Sequence, residues 1–313
     1  MIAQFKNVEK TYKGKISVKA LDGLSFEVRE GEILGLLGPN GSGKTTSINC
    51  LLSLLEFDSG EILLFDDEMK PSRYDIKQKI GYVPQNVAVF NELTVYENID
   101  FFCNLYVKDK KQREEYVLDA IKFASLEGYE KFYPRKLSGG LLRRLNIACG
   151  IAHKPELIIF DEPTVAVDPQ TRNLIIDNIH KLNKAGSTII YTSHYMEEIE
   201  VLCDYIVIMD KGMVVAAGTK DKLKDLINLG ETIHVELNEI SNEMLNILKN
   251  MPDVSSISFK RDQLVIKTNK GKTLLSKVLG FLKENNVTYK KIYSELPTLN
   301  DVFLELTGKE LRE

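Results

Sequence analysis

The sequence predicts an α/β chain of two domains, and three observations carry that prediction. Gly38-Pro39-Asn40-Gly41-Ser42-Gly43-Lys44-Thr45-Thr46 lies between a short apolar run, Ile33 to Leu37, and a helical segment, Thr45 to Leu55. A second apolar run, Leu157-Ile158-Ile159-Phe160, ends in the acidic pair Asp161-Glu162. From residue 231 the pattern resets to strand, helix, strand, strand, helix, strand, the order of a ferredoxin-like α+β domain. The 313 residues suffice for both, since domains usually run ~100–200 residues.

Composition narrows the class. Hydrophobic residues at 43% and charged residues at 27% fit a soluble globular chain rather than a disordered one. The net charge of −4 argues against a broad nucleic-acid-binding surface, so no nucleic acid is expected as partner. No apolar run approaches the ~18 residues needed to span a bilayer. Met1-Ile2-Ala3-Gln4-Phe5-Lys6 lacks the basic and apolar regions of a signal peptide, which predicts a cytoplasmic protein. Cys50, Cys103, Cys149 and Cys203 show no C-x-x-C spacing and sit in apolar segments, so they read as reduced core residues.

Residues 2–8 and 24–28 read as strands. Between them, Lys10-Thr11-Tyr12-Lys13-Gly14 reads as a turn. Tyr12 is there either a plain surface aromatic or, upstream of the glycine loop, a ring that stacks on a base. Arg29-Glu30-Gly31-Glu32 turns into the strand Ile33 to Leu37. The stretch after it satisfies G-x-x-x-x-G-K-[ST], the phosphate-binding P-loop. Its glycines let successive N–H groups point inward, and the following helix N-terminus adds partial positive charge. Lys44 would reach the β- and γ-phosphates, and the Thr45 hydroxyl would ligate Mg²⁺.

Asp58-Ser59-Gly60 signals a turn before the strand Glu61 to Phe65. Ile80-Gly81-Tyr82-Val83-Pro84-Gln85 is a short strand closed by proline. Gln85 lies past its end and is either a solvated loop residue or a ligand contact. From about 87 to 150 the pattern turns helical and reads as an insertion. Thr94 and Glu97 make a capping box, and Val95, Ile99 and Phe102 recur at helical spacing. A second helix spans Lys111 to Ala124, and a third, Leu141 to Ala152, follows Ser138-Gly139-Gly140. That entry is either a small helix cap or an anion-ready helix N-terminus.

The run Leu157 to Phe160 fits a strand buried on both faces. Asp161 at its tip matches an acid that helps hold Mg²⁺, and Glu162 is placed to polarise a water. Asp168-Pro169 reads as the cap and first residue of a helix. His194 closes the strand Ser187 to Ser193 and shares the ligand edge with Asp161 and Glu162, whereas His153, His180 and His234 carry no such context. Tyr205 to Ala217 is a hairpin turning at Lys211-Gly212, and a polar helix and linker run from Lys220 to about Gly230.

The C-terminal elements are expected at 232–237, 242–250, 254–260, 263–268, 272–284 and 287–293, then a last helix over 299–307. Thr298 and Asp301 form a reduced capping box, and Leu299, Val302, Phe303 and Leu306 make one apolar stripe ending at Gly308. A helix this short must dock that stripe, either on its own sheet or on a partner subunit. The expected fold is thus α/β, a P-loop NTPase core with an antiparallel β subdomain and a helical insertion, plus a C-terminal α+β ferredoxin-like domain. The expected domains are residues 1–225 and 231–313.

The P-loop, Leu137-Ser138-Gly139-Gly140-Leu141, the strand tipped by Asp161-Glu162 and the strand-end His194, in that order, together resemble the ATP-binding subunit of an ABC transporter. The resemblance covers about residues 1–220. It implies ATP and Mg²⁺ as cofactors, with Tyr12 stacked on adenine and Lys44 on the phosphates. Thr45, Gln85 and Asp161 would share the Mg²⁺ shell, Glu162 would be the catalytic base, and His194 would sense the γ-phosphate. Ser138, Gly139 and Gly140 would contact ATP held by a second ATP-binding subunit, with Asp168 in the adjoining loop.

Two residues depart from the pattern: Leu141 stands where glutamine is usual, and Ala166 where glycine is common. Neither removes a catalytic group. The stretches Tyr191 to Glu198 and Pro297 to Gly308 resemble the bacterial drug- and antibiotic-exporter branch. In that branch the transmembrane permease is a separate polypeptide. The chain would then be a motor on the cytoplasmic side of the membrane, held there through the permease and working as a homodimer or beside a related subunit. A soluble ABC ATPase not coupled to transport is the alternative; the coiled-coil insertions, zinc-ligand cysteines or paired P-loops of those classes are not visible here.

Overall fold

The computed structural model describes residues 1–308, so residues 309–313 of the expected 231–313 domain lie outside it. The chain divides into two compact units, Met1–Thr219 and the segment from Lys220 onward.

In the first unit an antiparallel sheet runs β2 (Val18–Val28), β1 (Ala3–Tyr12), β4 (Ser59–Leu64), β5 (Asp67–Glu68). Phe5 and Phe26 stack at 4.3 Å on its inner face. β1 and β2 pair well beyond the 2–8 and 24–28 that the sequence suggested. Register shifts between Phe5 and Thr11 absorb the irregular apolar spacing, and pairing continues to Tyr12 opposite Val18. Tyr12 therefore ends a strand and does not lie in a turn.

The second sheet runs β10 (Met213–Gly218), β9 (Tyr205–Asp210), β3 (Ile33–Leu37), β8 (Thr188–Ser193), β7 (Leu157–Asp161), β6 (Ile80–Val83). It is parallel from β9 to β6, with β10 antiparallel at the edge. Every residue of β3, β7 and β8 is buried, which is why these strands read as unbroken apolar runs. Parallel pairing brings the C-terminal ends of β3, β8, β7 and β6 to one edge.

Helices α1 (Lys44–Leu51), α2 (Tyr74–Lys77), α3 (Val95–Asn104), α4 (Lys110–Phe123), α5 (Gly139–Ile151), α6 (Pro169–Lys184) and α7 (Met196–Leu202) complete the unit. α1 stops short of the expected Leu55, with Ser53 in the left-handed region at φ 54°. The capping box of α3 is present: Thr94 N–H donates to Glu97 Oε2 at 2.8 Å, and Glu97 N–H to Thr94 Oγ1 at 3.3 Å. α3, α4 and α5 bury Val95, Ile99, Val117, Ile121 and Leu145 in a core of their own. The helical insertion is thus separately packed. α7 and the short β5 and α2 carry no signal that sequence periodicity detected.

The second unit contains α8 (Lys220–Lys224), β11 (Leu229–Glu236), α9 (Asn242–Lys249), β12 (Val254–Lys260), β13 (Gln263–Asn269), α10 (Leu275–Glu284), β14 (Lys291–Glu295) and α11 (Leu299–Thr307). Its sheet is antiparallel throughout in the order β12-β13-β11-β14, the ferredoxin-like arrangement. Ile233, Val235, Leu248, Leu264, Ile266, Val278 and Leu282 form the core. The last sheet strand begins at Lys291, not at 287. Val287 N–H instead closes the end of α10 on Leu282 O at 2.9 Å, with Asn286 left-handed at φ 54°.

α11 keeps its Thr298–Asp301 capping box and ends at Gly308 with φ 68°. Leu299, Val302 and Phe303 are buried, whereas Leu306 is 39% exposed, so the apolar stripe is shorter than its spacing implied. The Asp301 carboxylate pairs with Lys267 of β13 at 3.4 Å, which sets α11 against its own sheet. At 1% exposure Phe303 offers no surface to a partner subunit.

α10 has no side-chain cap at Leu274. The buried Glu231 of β11 supplies one, its Oε1 accepting the N–H of Leu274 and, at 3.0 Å, that of Leu275. Glu231→Ala orphans both donors and is expected to lower the stability of this unit by about 1–3 kcal/mol. Urea denaturation of the full chain reads this directly; an unshifted midpoint would contradict the capping role.

Candidate functional site

β3 delivers the chain to the glycine loop at the centre of the parallel sheet. Gly41 and Gly43 take φ of 80° and 105°, where side chains are strained. A Cβ on Gly43 would also meet the Ala20 carbonyl oxygen at 2.6 Å. The N-terminus of α1 has neither a side-chain cap nor an acidic residue in its first turn. Ser42 Oγ is buried without a hydrogen-bond partner. An orphaned hydroxyl beside an uncapped helix start is a place where an anion's oxygens would be satisfied.

The Lys44 amine is buried and donates to Gly38 O at 2.7 Å and Pro39 O at 3.2 Å. Burial pushes its pKa below the ordinary lysine range, with the Glu162 and Asp161 charges pulling it back up. A partly desolvated ammonium beside an uncapped helix start fits the phosphates of a nucleotide.

At the tip of β7, Asp161 accepts from Thr192 Oγ1 on Oδ1 at 2.7 Å and from Thr45 Oγ1 on Oδ2 at 3.1 Å. Burial raises the Asp161 carboxyl above its usual range, opposed by these two hydroxyls. A carboxylate beside a hydroxyl is a hard-oxygen donor set, and Mg²⁺ commonly takes one or two protein groups and fills its octahedron with phosphate and water. Asp161 and Thr45 thus fit Mg²⁺, whereas the Gln85 side chain is engaged through its Nε2 with Glu162.

Glu162 is 5% exposed and lies in the left-handed region at φ 47°. Its Oε1 is 3.4 Å from Lys44 Nζ, and its Oε2 accepts from Gln85 Nε2 at 3.0 Å and lies 3.2 Å from His194 Nδ1. The ends of β3, β6, β7 and β8 therefore converge on one carboxylate. Tyr12 stands beside the same loop, its hydroxyl 3.4 Å from Thr46 Oγ1 and its ring 44% exposed.

A second cluster forms around α5. Ser138 caps the helix, its Oγ accepting Leu141 N–H at 3.3 Å, and Ser138 and Gly139 are exposed. A Cβ on Gly140 would meet Thr171 Oγ1 at 2.9 Å, which brings this glycine against the cap of α6. That cap is Asp168, accepting Thr171 N–H at 2.9 Å. Among the described residues no hydrogen bond or ion pair joins Ser138, Gly139, Gly140 or Asp168 to the P-loop. Leu141 packs against the core of the helical insertion in place of a polar contact. Ala166 has φ 60°, so the backbone there does require the conformation that glycine takes more readily.

Arg143 is a residue that sequence reasoning missed. It is 3% exposed on α5 and donates to the carbonyl oxygens of Pro163 at 2.6 Å, Gln85 at 2.7 Å, Glu162 at 2.7 Å and Pro84 at 2.9 Å. One guanidinium thus fastens the Gln85 loop and the Glu162 loop to α5. In the sequence it stands between Leu142 and Arg144, and nothing in that local pattern marks it off from a solvated arginine.

Comparison with known proteins agrees with this geometry. A family profile described as "ABC transporter" matches residues 21–165, and one described as "ATP-binding protein DrrA1-3-like, C-terminal domain" matches 218–307. The linearmycin resistance ATP-binding protein LnrL of Bacillus subtilis is 36% identical over 99% of both chains. The daunorubicin resistance ATP-binding protein DrrA3 of Streptomyces coeruleorubidus is 32% identical, over 97% of this chain and 95% of that one. Among solved structures, the dimeric post-hydrolysis state of the ATP-binding cassette MJ0796 with ADP and Pi aligns at TM-score 0.64 and 29% identity, over 70% of this chain and 98% of that one.

Arg143→Lys cannot reproduce the fork that reaches these carbonyls. The variant is expected to lose about 1–3 kcal/mol of stability as buried acceptors are orphaned. Chemical denaturation measures this; an unchanged unfolding free energy would contradict the bracing role.

Proposed function

The chain belongs to the ABC transporter ATP-binding proteins, and on that premise we propose that it is the ATP-hydrolysing motor subunit of an exporter. The observation that carries the proposal is the convergence of Lys44, Gln85 and His194 on Glu162. In this reading the P-loop N–H groups, Ser42 and Lys44 hold the nucleotide phosphates, and Tyr12 stacks on the base. Thr45, Asp161 and Gln85 would hold Mg²⁺, which would supply charge neutralisation to the phosphates when bound. Glu162 accepts a proton from the attacking water, His194 donates toward the γ-phosphate, and Gln85 holds the Glu162 carboxylate in place.

A second copy of the chain completes each site. The exposed start of α5, with Ser138, Gly139 and Gly140 unconnected to their own P-loop, suits a γ-phosphate held by the other subunit. Asp168, against Gly140, would line the same junction. The dimeric state of the MJ0796 cassette supports pairing of two chains, which in this reading pack head to tail, and a homodimer is the simplest assembly. Among the described residues no helix is long and apolar enough to cross a membrane. In this reading a separate permease, as in the exporter branch, would hold the motor on the cytoplasmic side of the membrane. The exposed aromatics Phe90, in the loop after Gln85, and Phe101 of α3, packed edge to face at 4.9 Å, offer an apolar patch for that partner. The resistance functions named for LnrL and DrrA3 favour an antibiotic-like cargo.

Two substitutions separate binding from chemistry. Lys44→Ala removes a charge-assisted contact and is expected to weaken ATP binding by ~1.5–3 kcal/mol. Glu162→Gln should retain ATP affinity, nearly abolish turnover, and accumulate an ATP-trapped dimer on gel filtration. Wild-type turnover in Glu162→Gln would overturn the assignment of the base.

A further inference from the structure

Glu198 of α7 is 3% exposed, and its carboxylate gathers four partners. Oε2 accepts from Tyr191 OH at 2.8 Å, Thr164 Oγ1 at 2.9 Å and Ser193 Oγ at 3.0 Å, while Oε1 lies 3.3 Å from Arg172 Nε. A carboxylate buried this deeply persists only because hydroxyls and a guanidinium surround it.

The partners fall on both sides of the candidate site. Thr164 follows Glu162 by two residues and stands between Glu162 and Ala166, which take φ of 47° and 60°. Such left-handed residues hold their conformation only where the surroundings over-determine it. Ser193 immediately precedes His194, and its Oγ also accepts the N–H of Tyr195 at 2.9 Å, so the backbone is pinned on either side of the histidine. The Arg172 guanidinium lies over the Tyr195 ring at 4.8 Å, and that ring is 4.1 Å from the His194 ring.

We propose that Glu198 is a positioning residue that holds His194 and the strained segment 162–166 in fixed register, so that movement of one is passed to the other. It touches neither the nucleotide nor the attacking water. Its effect is exerted through Ser193 and Tyr195 on one side and Thr164 on the other. The proposal rests on the ATPase reading above. Loss of the charge leaves the Thr164 and Tyr191 hydroxyls weakly paired and Arg172 without its carboxylate. The likeness in size of glutamine leaves the nucleotide pocket itself intact.

The test uses full-length wild type, Glu198→Gln, Thr164→Val and the double variant, measuring ATP dissociation constant, kcat, KM and Tm. Glu198→Gln is expected to lower kcat by ~10–100-fold, since a displacement of about 1 Å at a catalytic group can cost 10²-fold. ATP affinity should stay within about twofold, because the P-loop and Lys44 contacts to the phosphates are untouched. Thr164→Val should lower kcat by a smaller factor, and the double variant should be no slower than Glu198→Gln alone, the mark of two groups acting through one contact. Wild-type kcat in Glu198→Gln, strictly multiplicative effects in the double variant, or a lowered Tm with kcat unchanged would each overturn the proposal while leaving the ATPase reading standing. Should Glu198→Gln fail to fold, Thr164→Val and Ser193→Ala decide: unchanged kcat in both overturns it. A wild-type chain that does not hydrolyse ATP would instead remove the ATPase reading on which it rests.

Discussion

The burial of one carboxylate, Glu162, is the constraint around which the ligand edge of the sheet is built. An anion at 5% exposure needs partners, and it draws them from three other strand ends: Lys44 after β3, Gln85 after β6 and His194 after β8. Its backbone is held as firmly, with its N–H on Thr192 Oγ1 at 2.9 Å and its carbonyl on Arg143 at 2.7 Å. Parallel strand order is what makes the meeting possible, because it sends all four loops to the same side. Lys44 answers Glu162 and two loop carbonyls. In the proposed reading, nucleotide phosphates would compete with Glu162 for that charge.

The legible part of this site is local. The P-loop, the Asp161-Glu162 tip and the position of His194 each follow from a strand and the few residues after it, and period and motif detect those. Arg143 and Glu198 were not legible, because their importance lies in what they touch across 18 to 59 and 5 to 34 residues of chain. Neither spacing nor residue type distinguishes a buried arginine bracing carbonyls from a solvated one. The same limit explains the fold boundaries. Tyr12 read as a turn residue because bulges break the alternation of β1, and β14 was set too early because Val287 is an apolar residue that closes a helix.

The second unit shows how far a pattern of elements reaches. Its strand order and its terminal capping box were both readable, since each depends on residue types at short spacing. The choice between an intrachain and an intersubunit home for α11 was not, because a stripe of Leu299, Val302 and Phe303 fits any apolar surface. The Asp301–Lys267 pair at 3.4 Å and the full burial of those residues decide it in favour of the unit itself. Its sheet also carries an aromatic pair, the His234 ring stacking on Tyr293 at 4.9 Å with Nε2 2.9 Å from Glu295.

The central claim is that hydrolysis needs two chains, because the exposed start of α5 serves a nucleotide held by the other subunit. Mixing purified Ser138→Arg and Lys44→Ala proteins tests it most directly, with each variant first shown to be inactive alone. The mixed dimer contains one site with an intact P-loop and an intact Ser138, so ATPase activity should reappear on mixing. Full activity in Ser138→Arg alone, or silence in every mixture despite dimer formation, would contradict it.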